Sequence, residues 1–294
     1  MGKIHYFMVG MPSGGKTSYI VRLCSQLINE SNMMYKLVDG RLPDGLCHIQ
    51  EQMDMMDSFQ NIMRTFENVC YDITLPLVNE TGENISLVIP DLSGEHYRRL
   101  VEERYISKMI YDRLQKADTI LFFINTETME NEERLDCNEA STASLIEQSM
   151  KKMEEQDNEK LPMKKIPMPE KATQSQVVDL IQILLGLVKK KIRVKFVISA
   201  WDRVEKKISE EDLIPEDYLK GQLPLLYQYI ISNSDKLEYE VFGVSAQGAE
   251  YADKREMERL QDADVDIETL VKVVMPDGTK YQDISRLLRK WEQI

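Results

Sequence analysis

Lys3-Ile-His-Tyr-Phe-Met-Val9, followed by Gly10-Met-Pro-Ser-Gly14-Gly15-Lys16-Thr17, decides the fold. The first part is apolar and β-rich. The second fits G-x-x-x-x-G-K-[ST] in full, and a helical pattern, Ser18-Tyr-Ile-Val-Arg-Leu-Cys-Ser-Gln-Leu-Ile28, follows at once. Strand, Gly-rich loop and helix in succession are the context in which this motif cradles phosphate. Loop N–H groups and the helix N-terminus both point at an anion. The expectation is a nucleoside triphosphate held by Gly10, Ser13, Gly14, Gly15, Lys16, Thr17 and Ser18. Lys16 neutralises charge on the β/γ-phosphates and the Thr17 hydroxyl ligates Mg²⁺.

Outward from this motif the chain alternates strands with helices, which predicts a mostly parallel α/β sheet. A short strand is expected at 35–38. The alternating runs 71–78 and 85–90 are joined by the polar turn 79–84 and read as an antiparallel hairpin. A long amphipathic helix is expected over about 97–116, then a fully apolar buried strand at 118–124. Two helical patterns, near 139–155 and 174–190, flank Leu161-Pro-Met-Lys-Lys-Ile-Pro-Met-Pro169, which cannot continue a helix; 157–173 reads as a mobile loop. Further strands are expected at 194–198 and 239–244, and helices at 216–233 and 282–292.

The 294 residues are 43% hydrophobic, enough for a packed core. No apolar run is long enough to span a bilayer, and the first strand begins where a signal peptide would lie. Cys24, Cys47, Cys70 and Cys137 form no C-x-x-C pair and read as reduced thiols of a cytoplasmic protein. A net charge of −13 repels nucleic acid and anionic lipid over the general surface.

Three more signals fall at the ends of later strands, where α/β sheets place ligands. The first is Asp91-Leu-Ser-Gly94-Glu95. An Asp at a strand end holds Mg²⁺ opposite the loop through water, and Gly94 lets the backbone approach a γ-phosphate. The bland alternative is an Asx turn. The second is Ser199-Ala-Trp-Asp202. Its carboxylate can accept both the N1–H and the N2–H₂ of guanine, a donor pair adenine lacks; the alternative is a helix N-cap. The third is Val244-Ser245-Ala246-Gln247-Gly248, whose small residues let a backbone N–H reach the guanine O6.

In this order, GMPSGGKT, DLSGE, SAWD and SA resemble the G1, G3, G4 and G5 motifs of Ras-like small GTPases of the translation-factor-related class. The likeness covers most of the chain. With the long inserts at about 31–68, 127–192 and 249–275, the chain looks more like the bacterial double-GTPase families of conflict and defence gene clusters. The resemblance implies one G domain over 1–294, with a mixed sheet and inserted helices. It implies a GTP-binding switch that hydrolyses GTP to GDP with Mg²⁺ and gates protein partners.

Departures from the family pattern carry their own expectations. Ala200 stands where [NT]-K-x-D has a Lys packed over the base, leaving Asp202 to read guanine with packing from Trp201 or Arg203. Glu95 stands where Ras-like proteins carry a water-orienting Gln, and its charge implies slow hydrolysis. Pro12 stiffens a loop position often occupied by Gly. The switch Thr that reaches Mg²⁺ is expected at Thr65, in an irregular stretch, rather than at Thr74, mid-strand. Arg41 or Arg64 could serve as a built-in finger, and nothing singles out either. Two rival readings stand: a small-molecule kinase, with Arg98-Arg99 as the hint of a lid, and a nucleotide-binding scaffold without turnover.

Overall fold

In the computed structural model of the chain, residues 2–29, 32–38, 47, 49–60, 71–91, 94–130, 172–188, 190–208, 213–265 and 267–291 are described. The strands are β1 (Gly2–Val9), β2 (Tyr35–Leu37), β3 (Tyr71–Asn79), β4 (Asn84–Asp91), β5 (Thr119–Ile124), β6 (Ile192–Ser199), β7 (Leu237–Ser245), β8 (Lys272–Val274) and β9 (Lys280–Tyr281). The helices are α1 (Lys16–Asn29), α2 (Gln50–Asp57), α3 (Gly94–Glu103), α4 (Lys108–Lys116), α5 (Gln174–Leu187), α6 (Trp201–Ile208), α7 (Pro215–Gln222), α8 (Pro224–Ser232) and α9 (Lys254–Asp262). The strands form one sheet in the order β2-β3-β4-β1-β5-β6-β7-β8-β9. From β4 to β7 every neighbour is parallel, while β2–β3, β3–β4, β7–β8 and β8–β9 are antiparallel. This is an α/β P-loop fold.

Central strands covered on both faces must be apolar on both, and β5 is buried at every position. Alternate residues of β1 divide between two core layers. Tyr6 and Met8 pack with α1 and α2, and Phe7 and Val9 pack with α3, α4 and α5. After β1 the chain goes to one side of the sheet and returns on the other with β5. The switch point therefore lies at the C-terminal end of β1, where the phosphate loop begins.

Several expected elements take a different form. The helix expected over 97–116 is two helices. Arg104 adopts a left-handed φ of 54°, and the Ser107 side chain caps the restart at α4 by accepting the Ile110 N–H. The helix expected over 216–233 is likewise divided, because Pro224 takes the first position of a new helix and cannot continue α7. Instead of a helix over 282–292 there is a short 3₁₀ turn, Ile284–Leu288, capped by Asp283. The chain there acts as a strap across the α1 face. The hydroxyls of Tyr6 and Tyr35 donate to the Leu288 carbonyl at 2.9 and 3.3 Å. The buried Lys195 donates to the carbonyls of Leu287 and Arg289 at 2.9 and 2.6 Å. Trp291 Nε1 donates to Thr119 Oγ1 at 3.1 Å. The helical pattern near 139–155 lies outside the described residues, as do 157–171 of the expected loop; Thr173 closes a capping box with Gln176 at the start of α5.

Candidate functional site

The loop between β1 and α1 is set by close approaches. Gly10 and Gly15 have φ of +156° and +90°. A Cβ on Gly10 would lie 2.6 Å from the Phe123 carbonyl oxygen of β5, and one on Gly15 would lie 2.7 Å from Ser199 Cβ. No side chain fits at either position, which is the physical reason for the motif's glycines here. Ser13 adopts a left-handed φ of 60°. Its carbonyl accepts from Asn125 Nδ2 at 3.2 Å, and Asn125 Oδ1 in turn accepts from the Glu127 N–H at 3.1 Å. Asn125 directly follows β5 and went unread in the sequence; a polar residue ending a fully apolar strand was the available signal.

Lys16 is not the exposed cation that its role suggests. It is 6% exposed and donates to the carbonyls of Gly10 at 2.8 Å and Met11 at 3.2 Å. Its ammonium sits 5.6 Å from the ring centroid of Tyr97, whose hydroxyl donates to the Met8 carbonyl. Thus α3, which follows the Asp91–Gly94 segment, touches both β1 and the phosphate-loop lysine. Asp91 ends β4, and Gly94 and Glu95 open α3. Thr17 and Ser18 stand in the first turn of α1, half-buried. Thr65, Arg41 and Arg64 lie outside the described residues. Thr74 lies within β3 opposite Val88.

At the far side, β6 and β7 run parallel with Ser199 beside Val244. Ser199 is 6% exposed and its Oγ donates to the Ile124 carbonyl at 3.3 Å. Ala200 turns the chain through a left-handed φ of 53° into α6. Asp202 is 8% exposed and its Oδ1 accepts from the fully buried Ser245 Oγ at 2.8 Å. One hydroxyl therefore fixes the carboxylate to the next strand's loop. Trp201 does not serve the base. It is fully buried against Tyr218, with ring centroids 5.5 Å apart, in the space left by Gly243, where a Cβ would approach within 2.4 Å of the indole. Alternation around the turn sends residue 201 into the core. Arg203 pairs with Glu250. Ala246 is buried, and its carbonyl accepts from Nε of the fully buried Arg22 at 3.0 Å. Arg98 and Arg99 pair with Glu102 and Glu103 on their own helix, at 2.9 and 3.5 Å, as expected of a solvated helix face.

The Thr17 hydroxyl is a hard oxygen donor of the kind that suits Mg²⁺, which keeps several waters and takes few protein ligands beside phosphates. Among the described residues no three His, Cys, Asp or Glu converge as a metal cluster. Of the thiols, burial pushes Cys24 up to about 12, and Cys47 is free and exposed. No helix among the described residues is long and apolar enough to cross a membrane.

A phosphate loop at the switch point, with Asp202, Ser245 and Ala246 at the ends of later parallel strands, defines a nucleotide-binding P-loop domain of Ras-like layout. The chain belongs to the Double-GTPase 1 family, whose model matches residues 7–291. No curated protein matches it by sequence. It is similar in structure to the bacterial selenocysteine-specific elongation factor EF-Sec, at 14% identity and a TM-score of 0.35; the match covers 90% of this chain and spans 29% of the factor's length. It is similar to the mammalian SRP receptor, at 11% identity and a TM-score of 0.37, covering 89% of this chain and 100% of the other. Arl6 of Trypanosoma brucei, solved with a bound nucleotide analogue, matches at 10% identity and a TM-score of 0.32, covering 89% of this chain and 96% of the other. The fold assignment rests on the strand order and the family match, not on these likenesses.

Proposed function

We propose that the chain binds GTP with Mg²⁺, hydrolyses it slowly to GDP, and changes its protein partners as the γ-phosphate is lost. The observation that carries the reading is the Asp202–Ser245 hydrogen bond beside Ala246. It holds a carboxylate at the strand ends shared with the phosphate loop, where a guanine edge would present its paired N–H donors. The phosphates rest on Gly10, Ser13, Gly14, Gly15, Lys16, Thr17 and Ser18. Mg²⁺, when bound, neutralises phosphate charge, with Thr17, Asp91 and Thr65 as its protein ligands. Gly94 meets the γ-phosphate, and Glu95 holds the attacking water less well than an amide would. Residues 1–294 then form one G domain in which 31–68, 127–192 and 249–275 are insertions. The net charge of −13 favours a protein partner over nucleic acid, and a cytoplasmic location is part of the proposal. A setting in bacterial defence is part of this proposal.

Single-turnover phosphate release separates this reading from a scaffold without turnover. Slow release from GTP, abolished by EDTA and absent with ATP, is the expected result. No release over many hours would favour the scaffold, and transfer to an acceptor other than water would favour a kinase.

A further inference from the structure

Arg22 is a fully buried arginine on a helix that the motifs assign to phosphate binding, and the nucleotide chemistry does not use it. A buried guanidinium is costly unless its donors are held. Its Nε donates to the Ala246 carbonyl of the base loop at 3.0 Å. Its Nη1 lies 3.5 Å from Asp57 Oδ1, at the end of α2. A second link runs in parallel. Phe59, two residues beyond α2 and at a left-handed φ of 54°, packs edge-on against Tyr251 with ring centroids 5.8 Å apart and planes at 79°. The Tyr251 hydroxyl donates to the Gln247 carbonyl at 3.2 Å. Consecutive carbonyls of the base loop are thus tied to side chains that meet the end of α2. Holding a carbonyl fixes its planar peptide, and with it the direction of the N–H on the other edge.

We propose that α2 braces the base loop, with Arg22 and Phe59 as positioning residues for guanine recognition. The proposal rests on the guanine-nucleotide reading above. α2 itself packs on α1 through Met53 and Met56, so its end meets Arg22 and Tyr251 from a firm seat. Loosening either link frees the loop's N–H groups from their aim at the base and leaves the phosphate loop intact. A partner that shifts α2 would therefore act on nucleotide release from the base side.

The test is stopped-flow dissociation of fluorescent GDP and fluorescent ADP from the full chain, comparing the parent with Phe59→Ala and Arg22→Met. GDP should leave each variant roughly tenfold faster, about 1.4 kcal/mol of lost binding. ADP, held by its phosphates, should leave at the parent rate, so the GDP/ADP ratio falls. General loosening of the fold would speed both nucleotides alike and would overturn the proposal, as would an unchanged ratio. If Arg22→Met fails to fold, Phe59→Ala, at a half-buried site, decides by itself. A parent with no preference for GDP over ADP would remove the guanine reading and this proposal together. A guanine-preferring parent with unaltered variants would remove this proposal alone.

Discussion

Replacing Lys195 with Met should abolish a pH dependence of stability that the parent carries. Lys195 lies in the middle of β6 with no exposed surface, beneath the C-terminal strap. Its ammonium is 5.4 and 5.6 Å from the ring centroids of Phe242 and Trp291 and 3.9 Å from Glu240 Oε2. Burial pushes this lysine down to about 7, with Glu240 opposing the shift and Arg289 adding to it. In an unfolded chain a lysine titrates near ~10.4. Between those values the unfolded chain holds a proton that the folded chain lacks, so stability rises with pH across the window. From about pH 6 to about pH 9 the gain comes to about 2–3 kcal/mol. Met fills much of the same volume and does not titrate. The two carbonyls it leaves without their donor cost about 1–3 kcal/mol each, independently of pH. Urea unfolding followed by tryptophan fluorescence, at several pH values, reads the difference between the two proteins. The parent should gain on the variant by about 2–3 kcal/mol over that range. Parallel curves would mean that Lys195 is solvated or charged throughout, and that the strap does not seal it.

Two further perturbations bear on the site. Lys16→Ala should weaken GTP binding by more than about tenfold, ~1.4 kcal/mol, by calorimetric titration. It should also lower the melting temperature, because the Gly10 and Met11 carbonyls lose their shared donor; binding within that limit would remove Lys16 from the site. Glu95→Gln should raise the single-turnover hydrolysis rate by roughly tenfold, ~1.4 kcal/mol of barrier, since an amide both donates and accepts and carries no charge; a slower variant would make Glu95 a competent base.

The motifs were legible because their residues sit in short contiguous runs at strand ends, where local chemistry alone makes them candidates. Gly10 and Gly15 lie so close to Phe123 and Ser199 that no side chain fits, contacts that no local pattern encodes. What could not be read was long-range. Trp201 sits beside Asp202, the proposed reader of the base, yet is core, because the turn at Ala200 sends it inward. Arg22 is charged yet lies on a helix covered nearly all round, with Tyr19 through Leu27 buried, which the local helical pattern does not reveal. The helix breaks carried visible but unweighted signals, the Ser107 cap and Pro224. The C-terminal strap carried none, since its hydrogen bonds go to Tyr6, Tyr35 and Lys195, far away in the chain.

Base selection by Asp202 tests the central claim most directly. Competition binding with GTP, ATP and XTP should show the parent preferring GTP over ATP. Asp202→Asn, which exchanges an acceptor for a donor, should shift the preference towards XTP, since xanthine presents a carbonyl where guanine presents its amine. Equal affinity of the parent for GTP and ATP, or an Asn variant that keeps its GTP preference over XTP, would contradict the assignment of this carboxylate to the base.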